Sequence, residues 1–303
     1  MAEKLVHFDE IRNNNLKSFL LFFMFLLLIA ALGVGLGLYI GDIIVGMIIT
    51  VIIGIIYSVI AWYSGANMIM ALSHAKPADR KKYPFLVNTV EGLAIAAGLP
   101  APKIYIINDT ALNAFATGRD PDHSAIAVTT GLLDKMNREE LEGVIGHEMS
   151  HIRNYDIRAM MLAAVMVGIV ILISDFMLRS FLWGGGKRSS NREGGSGQII
   201  LIVIALVLAI LAPLIGEMIK LTISRKREYA ADAGSAVLTR NPRSLASALK
   251  KIAADPDPLV DTANKATAHL FISTPFRKKK GIMVSLFATH PPIEDRIKRL
   301  EAM

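Results

Sequence analysis

Apolar residues gather in this chain into blocks longer than a soluble core element needs. No residue is charged from Phe19 to Ile40, Gly41-Asp42 interrupts, and Ile43 to Tyr63 is again uncharged. Each block is about the 20 residues a helix needs to cross a bilayer. The pattern predicts two transmembrane helices within 19–63, after a polar N-terminal segment, 1–18. Both runs exceed the apolar core of a cleaved signal peptide. Further apolar runs extend from Ala159 to Ser174 and from Ile199 to Gly216, separated by a Gly/Ser-rich linker at 184–197. Residues 159–219 are therefore read as a hydrophobic helical hairpin. Its arms are shorter than the first pair; spanning is favoured, with a re-entrant or interfacial hairpin as the alternative.

The two polar stretches, 64–158 and 220–303, read as the parts of one mixed domain interrupted by the hairpin. Helical spacing runs from Lys82 to Ala97 and stops at Gly98-Leu99-Pro100. Lys103–Ile107 and Ser124–Thr129 read as short strands. Asn137 with Glu140 three residues later forms a capping-box pattern, and the helix it opens is expected to run through Ile152. Residues after 220 are mostly helical in pattern, with loops at Asp255-Pro256-Asp257-Pro258 and Thr274-Pro275.

Composition sharpens this picture. Only 19% of residues are charged against 53% hydrophobic, where soluble domains carry about 25% charge. The net charge of +7 suits an anionic membrane surface. Nucleic acid is not an expected partner, because the basic run Arg277-Lys278-Lys279-Lys280 has few aromatic residues around it. That run is read as a solvated loop, with lipid headgroups as its functional alternative. Lys and Arg cluster on the side of the membrane that holds residue 17, residues 76–82 and residues 220–227, so both polar stretches are expected to face the cytoplasm. The chain has no cysteine, so any metal must be held by His, Asp or Glu.

The string His147-Glu148-Met149-Ser150-His151 supplies such ligands. Residues i and i+4 share one helix face, so both imidazoles can hold a single zinc ion, with Glu148 beside it as the base for water. A catalytic zinc needs a third protein ligand. Glu228 is the candidate, and Asp232, one turn on, can hold the far ring nitrogen of His147. Eight residues separate His151 from Ala159 and nine separate Ile219 from Glu228. If the helix after His151 is continuous, these are about 12 and 14 Å, and a hairpin brings both ligand sets to similar height over one membrane face. His7, His74, His123 and His269 lack ligand spacing.

Gly146-His147-Glu148-Met149-Ser150-His151-Ile152 with Asn154-Tyr155-Asp156, the stretch Ser224–Gly234, Asn113-Ala114-Phe115-Ala116-Thr117-Gly118, and His290-Pro291-Pro292-Ile293 with Arg296 together resemble the HtpX family. These are membrane-bound zinc metalloproteases of bacteria and archaea, related to the CAAX prenyl endopeptidases. The resemblance covers nearly the whole chain. It implies a polytopic α-helical protein of the cytoplasmic membrane with an α-rich, α+β gluzincin-like protease domain. It also implies one Zn2+ per chain, and quality-control or stress-related cleavage of membrane or unfolded polypeptides. Asn113, Ala114 and Ala116 would bind substrate backbone along an edge strand, and His290 would donate to the oxyanion. A loop role for His290 stays open, as does an ion-pair role for Arg296. Asp156 is expected to brace the end of the zinc helix. Two rivals stand beside this reading. One is a noncatalytic scaffold or chaperone with a structural metal, which has no need of Glu148 as a base. The other is a transporter, which would place ionisable residues mid-membrane, where the first two segments have none.

Overall fold

The structure is a computed structural model, and it describes residues 16, 18–34, 37, 41–166, 168, 225–255, 270–272 and 291–303. The linker at 184–197, the fourth apolar run, the basic run at 277–280 and His290 lie outside the described residues.

Two apolar helices lead the chain. Helix α1 (Ser18–Val34) packs against α2 (Ile43–Leu72). Asp42 opens α2, its carboxylate accepting from the Ile44 and Val45 amides, as an N-cap should. The expected boundary at Tyr63 is passed. The helix continues for nine more residues, because Gly65, Ile69 and Met70 are buried against the rest of the protein and packing there replaces the apolar run as the reason to stay helical. Among the described residues, α2 alone is long and apolar enough to cross a membrane, with 30 residues and a mean hydropathy of 2.9 over its most apolar window. Ile44, Ile48, Ile52, Ile53, Ile56 and Tyr63 stand exposed along it.

Beyond α2 the chain forms a four-stranded sheet in the order β1-β2-β4-β3. The strands are β1 (Lys76–Pro77), β2 (Lys103–Ile107), β3 (Ala114–Gly118) and β4 (Ser124–Thr129). β2 and β4 are parallel; β1 pairs antiparallel with β2, and β3 antiparallel with β4. The two-residue strand β1 was not legible in the sequence, since it carries no alternation. Helix α3 (Pro84–Ala97) joins β1 to β2, and ends on Gly98 in the left-handed conformation, φ 68°, the conformation that favours glycine.

The sheet is covered on both faces, and the period of two along β4 divides its residues between them. Ala125 and Ala127 join a core shared with α1, α2 and helix α6 (residues 156–166). Ile126 and Val128 join a second core with α3 and the helices that carry the site. Short helix α4 (Thr130–Lys135) follows β4 and leads into α5 (Arg138–Arg153), where both bonds of the Asn137–Glu140 capping box are present. The helix after His151 is not continuous. Asn154 caps α5, Tyr155 turns at φ 59°, and α6 starts afresh. After the undescribed stretch come α7 (Arg225–Thr239), α8 (Pro242–Ala254) and α9 (Ile293–Glu301).

Candidate active site

α5 and α7 come together through small residues. Ser235 Oγ donates to the Gly143 carbonyl at 2.7 Å. At Gly234 a Cβ would collide with the Ser150 side chain, including its Cβ at 2.9 Å. This close approach brings an acid from α7 to the histidines of α5. Nε2 of His147 and Nε2 of His151 lie 3.2 Å apart. Glu228 Oε2 is 3.9 Å from the first and Glu228 Oε1 is 3.6 Å from the second. All three side chains are buried. They offer one ligand atom each within 4.8 Å of one another.

The set fits a small divalent cation. Bonds of 2.0–2.1 Å in a tetrahedron put ligand atoms about 3.3–3.4 Å apart, and the histidine nitrogens already stand close to that spacing. Both Nδ1 atoms are occupied by carboxylates: Asp232 Oδ1 lies 3.0 Å from His147 Nδ1, and Asp156 Oδ2 lies 2.9 Å from His151 Nδ1. The Nε2 lone pairs are thereby left facing the shared point, as metal-ligating histidines require.

Charge in this pocket is set by burial, by the neighbouring carboxylates and by Arg296. Burial and the Arg296 cation hold His147 down to about 4. Burial would lower His151 too, but its hydrogen bond to the Asp156 carboxylate and the charge of Glu228 win, and it stands at about 9. Burial would raise Asp232, yet the Arg296 charge brings it to about 2. Glu148 is pushed up to about 7, chiefly by burial. Arg296 itself is 1% exposed. Its Nε and Nη2 donate to the two oxygens of Asp232 at 3.0 and 2.7 Å, and Nη1 donates to the Ile272 carbonyl at 3.2 Å.

The edge strand adjoins the site. Thr129 N–H donates to the Asn113 carbonyl, so in the antiparallel ladder Ala114 and Ala116 turn their backbone groups outward. Those groups are partly used already. The Ala116 amide lies by the Glu148 carboxylate and favours its ionised form, and the Ala114 carbonyl accepts from Ile272 N–H at 3.0 Å. Phe271 stacks edge-on against Phe115, 5.0 Å between centroids. Asn113, Ala114 and Ala116 are all buried. The fold therefore brings His147, Glu148, His151, Glu228, Asp232 and the 113–116 strand to one place. Sequence reasoning left an ion-pair role for Arg296 open, and its bonds to Asp232 bear that out; it missed the Ala116 amide beside Glu148 and Arg227 behind Asp156. The string Arg227-Glu228 held the one available hint, a cation beside an expected ligand.

The comparisons with known proteins agree with this geometry. Residues 80–303 match peptidase family M48. The chain is 51% identical to the protease HtpX homolog of Caldanaerobacter subterraneus subsp. tengcongensis over 82% of this chain and 81% of that one. It is 44% identical to the protease HtpX homolog of Dictyoglomus turgidum, over 98% and 94% of the two chains. With the protease HtpX homolog of Lactobacillus helveticus it shares 45% identity over 98% and 99%. Among solved structures it is similar to the crystal structure of S. mikatae Ste24p, with a TM-score of 0.49 and 20% identity, over 93% of this chain and 62% of that one. A buried His-His-Glu cluster in a chain with these relatives has one consistent interpretation: the protein belongs to peptidase family M48, alongside the HtpX homologs, and is a metalloprotease.

Proposed function

We propose that the chain is a zinc-dependent endopeptidase of the cytoplasmic membrane that cuts membrane or unfolded polypeptides in quality control. His147, His151 and Glu228 would hold one Zn2+. Bound there, zinc would polarise a peptide carbonyl and lower the pKa of water to about 7.

The observation that carries the catalytic reading is the setting of Glu148. Its carboxylate is buried, adjacent in sequence to His147, and faced by the Ala116 amide of the edge strand. A buried carboxylate beside the cation suits both taking a proton and returning it. Its oxygen takes a proton from water and hands it to the leaving amine. Substrate would pair in extended form with the outward edge of β3. Because the Ala114 carbonyl is engaged by Ile272, the stretch of that edge left open among the described residues begins at the Ala116 carbonyl. Glu148→Gln is expected to keep stoichiometric zinc and lose peptidase activity by at least about 100-fold, the usual span of a general base. Turnover near that of the wild type would remove Glu148 from the role.

Membrane placement rests on α2. Its dense run of exposed apolar residues reaches from Ile43 to Tyr63, with only Leu72 exposed beyond it among the large apolar residues of α2; at Tyr63 Arg119 lies over the ring at 5.0 Å and Arg158 lies over the neighbouring Trp62 at 5.4 Å. Aromatic rings with cations mark a bilayer interface. From Ile43 to Tyr63 is about 30 Å of helix, the thickness of the hydrocarbon core. The basic side holds the active site, and four spans are expected in all. Single cysteines introduced at Lys81 and Asp42, in a chain that has none of its own, are expected to label from opposite faces. Labelling of both from one face contradicts this placement.

A further inference from the structure

Behind each metal-facing histidine stands a carboxylate, and behind each carboxylate an arginine from a distant part of the chain. For His147 these are Asp232 on α7 and Arg296 on α9, whose guanidinium also lies 3.3 Å from His147 Nδ1 and 3.6 Å from Glu228 Oε2. For His151 they are Asp156, at the start of α6, and Arg227, the residue before Glu228. Arg227 Nη1 donates to Asp156 Oδ1 at 3.1 Å, while Asp156 Oδ2 faces His151 Nδ1 at 2.9 Å.

The backbone explains why Asp156 can serve. On an unbroken helix a residue five positions on is about 140° around the axis from His151 and cannot reach its ring. The helix breaks at Asn154, and Tyr155 takes φ 59°, a conformation uncommon for a bulky residue. That turn returns Asp156 beneath the imidazole. Asp156 is 1% exposed and the Arg227 side chain 11%. An ion pair so far from water is a poor device for stability alone, because desolvation consumes much of the attraction. It does fix both carboxylate oxygens, so the carboxylate cannot rotate away from the ring. Arg227 and Glu228 are consecutive on one helix and diverge by about 100°. Pinning the first to Asp156 therefore sets the rotation of α7 that presents the second to the histidines.

We propose that Asp156 and Arg227 are a positioning pair for the metal site: Asp156 orients His151 and fixes its tautomer, while Arg227 locks Asp156 and registers Glu228. Arg227 acts on the ring through Asp156. The inference rests on the reading that His147, His151 and Glu228 hold the ion.

The test uses the full chain in detergent, loaded with Zn2+ and challenged with excess chelator, and in parallel loaded with Co2+ for its visible spectrum. Asp156→Asn is expected to release zinc about 10–100-fold faster, the range for lost partners of ligating histidines. Arg227→Met is expected to release it about tenfold faster and to alter the cobalt spectrum. Arg227→Lys, which keeps the charge, should recover most of the loss. The double variant should be no worse than Asp156→Asn, because the arginine works through the aspartate. Arg80→Met, which removes an exposed pair with Glu91, is the control and should match the wild type. Zinc release at the wild-type rate in Arg227→Met, or an effect that adds fully to Asp156→Asn, overturns the proposal. Should Arg227→Met fail to fold, Arg227→Lys and Asp156→Asn still decide it. If the wild type takes up no metal, or Glu228→Ala takes it up unchanged, the ligand reading itself fails and this inference falls with it.

Discussion

Single residues in this protein act through what fixes them. Glu140 shows this at a distance from the metal. Its carboxylate accepts from the Asn137 amide at 2.8 Å, from Ser247 Oγ at 2.7 Å and from Lys251 Nζ at 2.6 Å. Burial would raise its pKa, but these donors win and hold it below the usual carboxylate range. A depressed folded-state pKa gives stability that is present above the unfolded value, about 4.3, and disappears as pH falls through the folded value. Glu140→Gln is therefore expected to cost about 1–3 kcal/mol at neutral pH, with the gap to the wild type closing in acid. Thermal unfolding of both in detergent across the range checks it; a gap unchanged down to about pH 3 contradicts the linkage. At this scale the sequence was informative where chemistry repeats a spacing. The i, i+4 histidines and the Asn137–Glu140 box could be read directly. Asp156 was expected to brace the helix end; its bond to His151 depends on a left-handed turn at Tyr155 that no residue in the string announces.

Elements position these residues by how closely they approach. α5 carries two histidines and the base, α7 the third ligand, and the contact between them is built from Gly146, Ser150, Gly234 and Ser235. A larger side chain at Gly234 must push Ser150, three residues after His147, away from α7. Gly234→Val is expected to destabilise the fold by about 1–3 kcal/mol and to weaken zinc binding more than a surface change of equal cost to stability. Zinc titration alongside unfolding would separate the two, and full affinity in a destabilised variant would show that the spacing is not critical. Strand β2, strand β4 and helix α3 were readable from alternation, periodicity and the Gly98 stop. The end of α2 was not. Its last nine residues are helical because the protein packs against them, and tertiary packing leaves no local mark. The end of α5 was expected at Ile152 and falls at Arg153; the left-handed turn that follows it left no mark, because Asn154-Tyr155 contains neither glycine nor proline.

At the scale of the whole molecule, the site is assembled from pieces that are far apart in the chain. Glu228 lies 77 positions after His151, and Arg296 a further 68. What joins them in the structure is a layered core: apolar helices on one face of the sheet, the site helices on the other, with β3 between. Periodicity could not have supplied that connection; in the sequence it came from hairpin reasoning and from motif resemblance. The account stands or falls on whether Glu228 closes a zinc site with His147 and His151. The most direct measurement is the zinc content of the detergent-purified protein and of its Glu228→Ala and Asp232→Ala variants, each titrated with Zn2+ and assayed on an unfolded protein substrate with and without chelator. The account predicts one zinc per chain in the wild type, near-complete loss of zinc and activity in Glu228→Ala, and a milder loss, about 10–100-fold in affinity, in Asp232→Ala that excess zinc partly restores. Wild-type zinc content and activity in Glu228→Ala would contradict it.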